Sequence, residues 1–425
     1  MSESATTRAW RLFDLPRSVW LLGWVSLATD AATEAIYPLL PFFLTHVLGA
    51  SVVSLGIVEG AAEATNSALK ILSGRASDRT KRRRPLVLAG YAISSLARPL
   101  IAVAQTWVQV FTVRVVDRVG KGIRGAPRDA MLAALATPTT RGKVYGFHRA
   151  MDHAGAVVGP VLASLFLLAY PGQYRTLFAL TLIPGAIAVA LMFLVREEVR
   201  LKPDTTTVEN ASRDLDLVPN SDVVSGFNPS PNSDVVSGFS RTSPARLPRE
   251  LKSFFLVLAL FTLGNSTDAF LILKLTDAAG GTAWIPMIWA ALHVVKASVS
   301  IVAGSWSDRI GRRTTIAVGW IIYAVVYAGF AVAESLNALL GLFLVYGFYF
   351  GFTEGSEKAL IADLAPASRR GFAFGVYNAV LGAGGLVASV LFGYLWTAFG
   401  PIVAFSAGAA LALAATAMLF ATVPR

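Results

Sequence analysis

Two similar charged stretches, GRASDRTKRRRP at 74–85 and GSWSDRIGRRTT at 304–315, each separate two long apolar runs. Their Ser-Asp-Arg triplets are about 230 residues apart, a period that indicates an internal repeat. Further matches recur at similar spacing: RGKVYGF at Arg141 with RGFAFGV at Arg370, and the Thr-Asp-Ala triplets at Thr29 and Thr267. The chain is therefore predicted to consist of two related halves.

The composition is typical of a membrane protein. Of 425 residues, 55% are hydrophobic and only 15% are charged, too few for the surface of a soluble protein of this size. The net charge of +11 is concentrated in short loops between apolar runs, which indicates membrane topology rather than nucleic-acid binding. Because there is no cysteine, disulfides, thiol nucleophiles and thiolate metal sites are excluded.

Twelve membrane-spanning helices are predicted, since the hydrocarbon core takes about 20 helical residues. The predicted spans are 19–45, 52–73, 85–104, 107–134, 143–169, 175–195, 253–275, 283–303, 313–332, 338–363, 371–396 and 400–422. Lys and Arg are concentrated in the turns after spans two, four, eight and ten. This asymmetry predicts that both termini are cytoplasmic.

Four domains follow from this pattern: a cytoplasmic tail (1–18), two six-helix bundles (19–195 and 253–422) and a linker (196–252). The linker is rich in Pro, Ser, Asn and Asp, and PNSDVVSGF occurs in it twice. Such a segment is predicted to be flexible because it buries too little apolar surface to offset its ordering entropy. Parallel six-helix repeats place a substrate site between the halves, near the middle of the membrane.

The charged stretches resemble the Gly-x-x-x-Asp-Arg-x-x-(x)-Arg-Arg signature of the major facilitator superfamily, and the resemblance covers all but the tails and the linker. It implies an all-α membrane fold with two pseudo-symmetric bundles. The matching residues are Gly74, Asp78, Arg79, Arg82 and Arg83, then Gly304, Asp308, Arg309, Arg312 and Arg313. Physically, they are expected to form a charged conformational latch at the cytoplasmic face, or else only positive-inside anchors.

Span five contains GAVVGPVLAS, which resembles the superfamily's antiporter motif Gly-x-x-x-Gly-Pro-x-x-Gly-Gly at Gly155, Gly159 and Pro160. Ala163 and Ser164 replace the final glycines. The resemblance implies export, whereas the small residues alone indicate a helix-packing face.

Charges inside the spans are candidate functional groups, because each costs about 3 kcal/mol or more in hydrocarbon. Asp30 and Glu34 in span one, and Glu59 and Glu63 in span two, lie on single helical faces and are predicted to face the bundle interior. They are proton-coupling candidates, together with Arg114, Asp117, Asp268 and His293.

Span four, RVVDRVGKGIRGAPRDA, is unusually basic. The resemblance aligns Arg114 with a superfamily arginine that is linked to proton coupling, and we predict that it pairs with Asp30 or Glu34. The other positive side chains either bind an anionic substrate or pair with carboxylates of neighbouring spans. The candidate cavity residues are Arg118, Lys121, Arg124, Asn265, Lys296, Glu354, Glu357 and Lys358.

The resulting hypothesis is a monomeric secondary transporter of the cell inner membrane, which exports a small organic molecule in exchange for protons. The proton gradient would be its only energy source, with no cofactor or metal. Proton-coupled uptake of a small or anionic solute is the first alternative. A membrane-embedded enzyme lacks a nucleophile and base in this sequence, and a non-transporting sensor would depend on the linker.

Overall fold

The computed structural model describes residues 15–79, 83–136, 141–196, 247–366 and 370–423. Most of the predicted tail, most of the linker with its tandem repeat, and Arg82 of the predicted latch lie outside the described residues. Within the described ranges the chain forms helices joined by short connections.

The N-terminal half contains six helical segments within the described ranges. Helix α1 continues beyond its α-helical part through 3₁₀ and π-helical turns to Val47, and α3 continues through a 3₁₀ segment, Arg98–Val103. The bounds are α1 Arg17–Ile36, α2 Val52–Arg79, α3 Arg84–Ala97, α4 Trp107–Leu135, α5 Arg141–Ala169, and α6 in two parts, Tyr174–Leu180 and Leu182–Leu194.

The C-terminal half has six segments in its described residues, and the first is interrupted. Helix α7 unwinds between Gly264 and Ala269, which divides it into α7a and α7b. The bounds are α7a Arg249–Gly264, α7b Ala269–Ala279, α8 Ile285–Ile310, α9 Arg312–Val332, α10 Leu336–Leu364, α11 Arg370–Phe399 and α12 Pro401–Thr422.

Side-chain caps explain where helices α4 and α10 begin. Thr106 and Gln109 form a capping box at the start of α4, where the Gln109 backbone N–H donates to the Thr106 side chain. The Ser335 hydroxyl accepts from the Ala338 backbone N–H at the start of α10.

The two charged stretches are more helical than expected. Helix α2 continues to Arg79 and α8 to Ile310, so the Ser-Asp-Arg triplets form final helical turns and not the turns between spans. Backbone hydrogen bonding does not stop where the apolar run stops, because polar residues outside hydrocarbon can remain helical. Gly311, with φ of 89°, ends the second stretch in a conformation that favours glycine.

Eight helical segments of the described chain are long and apolar enough to cross a membrane. The segments α1, α2, α4 and α8 are outside that group. These four helices carry most of the charged candidates, including Glu34, Glu63, Arg118 and Lys296. The polar groups are thus concentrated on a minority of helices, which requires neighbouring helices to cover them.

The packing of the helices repeats between the halves. In the N-terminal half α1 packs on α5 and α6, α2 on α4, and α3 on α4 and α6. The equivalent pairs in the C-terminal half are α7 with α11 and α12, α8 with α10, and α9 with α10 and α12. Between the halves, α2 packs on α11 and α5 packs on α8. These two contacts are equivalent, because α8 is the counterpart of α2 and α11 is the counterpart of α5 in the repeat. This pattern confirms the internal repeat in three dimensions.

We call the end with the arginine-rich turns the basic end, and the opposite end, with the turns at 48–51, 170–173 and 280–284, the far end. One buried apolar cluster is continuous across both halves, and its α1 members are restricted to Ala35 through Leu44 near the far end. A separate cluster of N-terminal residues, from Leu15 to Val195, occupies the basic end. On α1 the apolar contact with the other half therefore lies near the far end, whereas α2 and α11 also touch at mid-length, where a side chain at Gly382 would meet Ser67.

The glycines of the span-five motif lie against α1. A side chain at Gly155 would meet Leu27 and the Asp30 side chain, and one at Gly159 would meet the backbone of Ala31. The motif therefore provides a close helix contact beside a candidate proton-coupling residue, as its packing interpretation predicts.

Replacing Gly159 with alanine is expected to destabilise the protein by about 1–3 kcal/mol, because the added methyl group overlaps the α1 backbone. Thermal unfolding of purified protein in detergent measures the change as a lower Tm. Gly125→Ala is the matched control, since its added carbon meets open space. Equal Tm values for the two variants would contradict the close contact.

Candidate functional site

A cluster of charged side chains, which we call the arginine cluster, lies between α2, α3 and α4. It consists of Glu59, Arg98, Arg114, Asp117 and Arg118, each no more than 7% exposed. Arg114 donates to Glu59 through two parallel hydrogen bonds, Nε to Oε1 at 3.0 Å and Nη2 to Oε2 at 2.7 Å. Such a bidentate pair fixes both the charge and the orientation of the two groups.

Asp117 is shared by three arginines. Arg98 Nε donates to Asp117 Oδ1 at 2.9 Å, while Arg114 and Arg118 nitrogens lie 3.9 and 3.6 Å from Asp117 Oδ2. Arg98 also donates to the Thr29 carbonyl oxygen at 3.2 Å, which ties the cluster to α1. One carboxylate of α4 thus binds the start of the 3₁₀ segment that continues α3.

The predicted pairing of Arg114 with Asp30 or Glu34 is wrong in this structure. Arg114 pairs with Glu59 because α4 packs on α2 over much of its length, whereas its contact with α1 is small. Sequence reasoning also missed Arg98. An arginine inside the apolar run SSLARPLIA was the available signal.

Glu34 connects the two halves. Its Oε2 accepts a hydrogen bond of 2.8 Å from the Trp289 indole nitrogen on α8. Beside it the Tyr37 hydroxyl lies 3.3 Å from Thr267 Oγ1, and the Tyr37 ring lies 5.0 Å from the Trp289 ring. The Glu34 carboxylate is therefore part of the joint between the halves.

Other contacts between the halves also lie at the far end. Three of them are Tyr174 with Thr282 at 2.7 Å, Met287 N with Ser164 Oγ at 3.0 Å, and the exposed pair of His46 with Asp277 at 3.5 Å. Towards the basic end, Arg149 of the N-terminal half lies 3.3 Å from Glu354 of the C-terminal half, and both side chains are exposed. Several polar contacts therefore join the two halves at the far end.

Tyrosines surround the unwound segment of α7. The Tyr323 hydroxyl donates to the Gly264 carbonyl oxygen at 2.7 Å, and Asn265 Nδ2 donates to the Tyr349 hydroxyl at 2.9 Å. Asp268 Oδ1 accepts from the Tyr346 hydroxyl at 2.7 Å. The first bond satisfies a backbone carbonyl that the interrupted helix leaves without its usual partner, and the other two satisfy polar side chains of the unwound segment.

Four further candidates lie on α8 and α10 of the C-terminal half. Lys296 Nζ lies 3.4 Å from the centre of the Phe350 ring, and His293 Nδ1 lies 3.1 Å from the Trp289 carbonyl oxygen. Glu354 accepts from Lys358 at 3.1 Å, the local pairing expected from their spacing.

Two predicted cavity residues lie elsewhere. Arg124 points toward α3, where Nη1 donates to Ser94 Oγ at 2.7 Å and the guanidinium stacks on Tyr91 at 4.6 Å. Glu357 is buried inside the C-terminal half and accepts from Trp320 and Tyr377. Both predictions are corrected because helical rotation, which spacing gives only coarsely, turns these side chains away from the interface.

The remaining first-half candidates are more open. Asp30 and Lys121 are half-buried, whereas Glu63 is exposed and accepts from Asn66 at 3.1 Å. Sequence reasoning missed Asp152 of α5, which accepts from the Ser26 hydroxyl. Asp30, Lys121 and Asp152 therefore place ionisable groups on three different helices of this half.

Two arginines of the predicted latch, Arg312 and Arg313, bind residues of their own half. Arg312 Nε lies 3.4 Å from Asp363 Oδ2, and Arg313 Nη1 donates to the Val423 carbonyl oxygen at 2.5 Å. These bonds join the basic ends of α9, α10 and α12. For Arg309 and Arg83 the latch role stays a prediction, as it does for the helical positions Gly74, Asp78, Arg79, Gly304 and Asp308.

Comparisons with known proteins agree on the family. The family model described as Major Facilitator Superfamily matches residues 20–292 and 255–425. An uncharacterized MFS-type transporter of Methanocaldococcus jannaschii is 32% identical over 406 residues, covering 94% of this chain and 93% of that protein. Multidrug resistance protein MdtH of Cronobacter sakazakii is 24% identical over 374 residues, covering 85% and 82%. The crystal structure of nucleoside transporter NupG has a TM-score of 0.71 at 13% identity, covering 96% and 99%, and shares the fold.

Glu59→Gln is expected to lower the free energy of unfolding by about 3–5 kcal/mol, because it leaves Arg114 buried without its bidentate partner. Chemical unfolding in detergent measures this change. Adding Arg114→Gln should restore part of the lost stability.

The exposed pair Glu354 and Lys358 is the control, and the corresponding change there should be about 0–1 kcal/mol. A loss at Glu59 as small as the loss at Glu354 would show that the Arg114 pair is not desolvated.

Trp289→Phe should weaken closure of the far end by about 1 kcal/mol, roughly a fivefold shift toward the open form, because Glu34 loses its indole donor. Since the chain has no cysteine, Ile285→Cys can report opening: Ile285 is buried near the far end. Maleimide labelling of the purified protein should become faster.

Trp284→Phe is the control, because Trp284 is exposed and lies next to the same reporter. Unchanged labelling in Trp289→Phe would remove the Glu34 bond from the closure of the far end.

Proposed function

The chain belongs to the major facilitator superfamily, a family of multi-pass membrane transporters, and from this premise we propose that it exports a small organic molecule in exchange for protons. The observation that carries the proposal is the bond between Glu34 and Trp289, which places a titratable carboxylate at the joint between the halves. The similarity to proteins named for multidrug resistance favours export.

The proposed cycle depends on the charge of Glu34. A carboxylate accepts a stronger hydrogen bond than a neutral carboxylic acid, so loss of the proton favours the form closed at the far end. When the far end is open, Glu34 takes up a proton from the far side and carries it while the halves return. Release of that proton at the basic end restores the carboxylate and its bond with Trp289, which closes the far end again. Substrate that enters from the basic end must displace the same bond before it can leave at the far end.

Asp30 is the second proposed proton site. It lies one helical turn before Glu34, beside the packed glycine Gly155, and is half-buried. Motion of α5 against α1 therefore changes the surroundings of this carboxylate as the halves rock. Arg114 and Asp117 act differently in this proposal, because their bonds with Glu59 and Arg98 keep the N-terminal half rigid.

The remaining parts of the proposal concern placement. We propose a cell inner membrane location, a cytoplasmic basic end with both termini cytoplasmic, and a monomer powered by the proton gradient without a cofactor. Membership of a transporter family favours transport over catalysis. The lipid environment follows from the apolar helices.

Reconstituted vesicles with an imposed pH gradient test the coupling. Uptake and release of a panel of cationic, neutral and anionic organic compounds are followed at both gradient directions. Glu34→Gln and Asp30→Asn are expected to lose most gradient-driven flux while they keep exchange of substrate for substrate, because a neutral amide carries no proton.

Glu334→Gln is the matched control, since this carboxylate is exposed in the turn between α9 and α10. If the flux of every compound were the same with and without the pH gradient, proton coupling would be overturned. Substrate movement in the same direction as protons would overturn export in favour of uptake.

A further inference from the structure

The arginine cluster contains three guanidinium groups but only two carboxylates. Glu59 is engaged by Arg114, and Asp117 is hydrogen-bonded by Arg98. Arg118 has a single ion-pair partner within 4 Å in the described chain, Asp117 at 3.6 Å, and no hydrogen bond to it. A buried positive charge is therefore left without a carboxylate of its own.

Two arginines of the cluster also have hydrogen-bond donors without an acceptor. Nε and Nη1 of Arg118 and Nη2 of Arg98 are enclosed and have no hydrogen-bond partner among the described residues. Buried polar groups are nearly always satisfied, and a charged donor without an acceptor is especially costly. The arrangement fits a missing acceptor that carries negative charge.

Nearby groups do not supply this acceptor. Glu63 lies one helical turn beyond Glu59 on α2, but it is exposed, accepts from Asn66, and forms no ion pair with Arg118 within 4 Å. Lys121 lies one turn beyond Arg118 on α4 and adds positive charge. The surroundings of Arg118 thus favour an anion from outside the chain.

The cluster also reaches the joint between the halves. Tyr37 lies with its ring centre 5.8 Å from the Arg114 guanidinium carbon, and its hydroxyl contacts Thr267 of the other half. An anion held at Arg118 would therefore lie on the N-terminal side of the region where the substrate must pass.

We propose that Arg118 is the anchor for an oxyanion of the substrate, a carboxylate or phosphate group, and that the transported molecule is an organic anion. The inference rests on the proposed transport function and names its substrate class. The planar guanidinium offers parallel donors that match an oxyanion, and the bound group supplies the negative charge that the cluster lacks.

Binding to the purified full-length chain without any gradient tests this proposal. Benzoate, inorganic phosphate and chloride are compared with benzamide, an uncharged molecule similar in shape to benzoate, and Tm is measured at constant ionic strength. Benzoate should raise the Tm of the unsubstituted protein in a saturable manner, and benzamide should not. Stabilisation by phosphate and chloride alone would show an inorganic anion site and overturn the organic substrate class.

Arg118→Gln should weaken benzoate or phosphate binding by roughly tenfold or more, because charge-assisted hydrogen bonds are lost. Arg118→Lys should give an intermediate affinity, since it keeps the charge without the planar fork. Arg124→Gln removes an arginine of the same helix that already has Ser94 as acceptor, and it should leave anion affinity unchanged.

Stability without anions provides an independent readout. Arg118→Gln removes an excess buried charge and should keep or raise the Tm of anion-free protein, whereas a satisfied arginine would lower it. A lowered Tm, or equal anion stabilisation in Arg118→Gln and the unsubstituted chain, would overturn the proposal. Anion binding that depends on Arg118 in a protein without gradient-driven flux would instead contradict only the proton coupling.

Discussion

The cost of placing charge inside an apolar helix bundle is the constraint on which this structure depends. Arg114 and Glu59 offset this cost with two parallel hydrogen bonds, and Arg98 and Asp117 form a second ion pair. Because breaking one partner leaves an uncompensated charge, these pairs fix α2, α3 and α4 against one another. The N-terminal half can then move as a rigid unit.

The contacts between the halves are of another kind. They include single hydrogen bonds, such as Glu34 with Trp289 and Tyr174 with Thr282, apolar packing, and two exposed ion pairs, His46 with Asp277 and Arg149 with Glu354. Each such bond contributes about 1 kcal/mol, less than a buried ion pair loses when one partner is removed. The N-terminal half is thus held together more strongly than the two halves are held to each other.

The two halves keep the same helix pairings but carry different chemistry. The N-terminal half concentrates arginines and carboxylates on α2 and α4, whereas the C-terminal half places Tyr323, Tyr346 and Tyr349 around an unwound helix. The repeat preserves the backbone contacts because small residues and helix lengths define them. The side chains that line the space between the halves can therefore differ: charged groups on the N-terminal side and tyrosine hydroxyls on the C-terminal side.

The sequence alone determined the repeat, the helix positions and the family. Apolar runs and charged turns are local properties, and most observed helices begin and end within a few residues of the predicted spans, although α2 and α8 continue further and α7 is interrupted. It also identified Glu34, Glu59 and Arg114 as polar groups that must face the interior. Tertiary structure decided the pairings: Arg114 with Glu59, Glu34 with Trp289, and Arg124 with Ser94. These pairings depend on helix rotation and on which helices touch, and small angular errors in a periodic pattern are enough to change a side chain's partner.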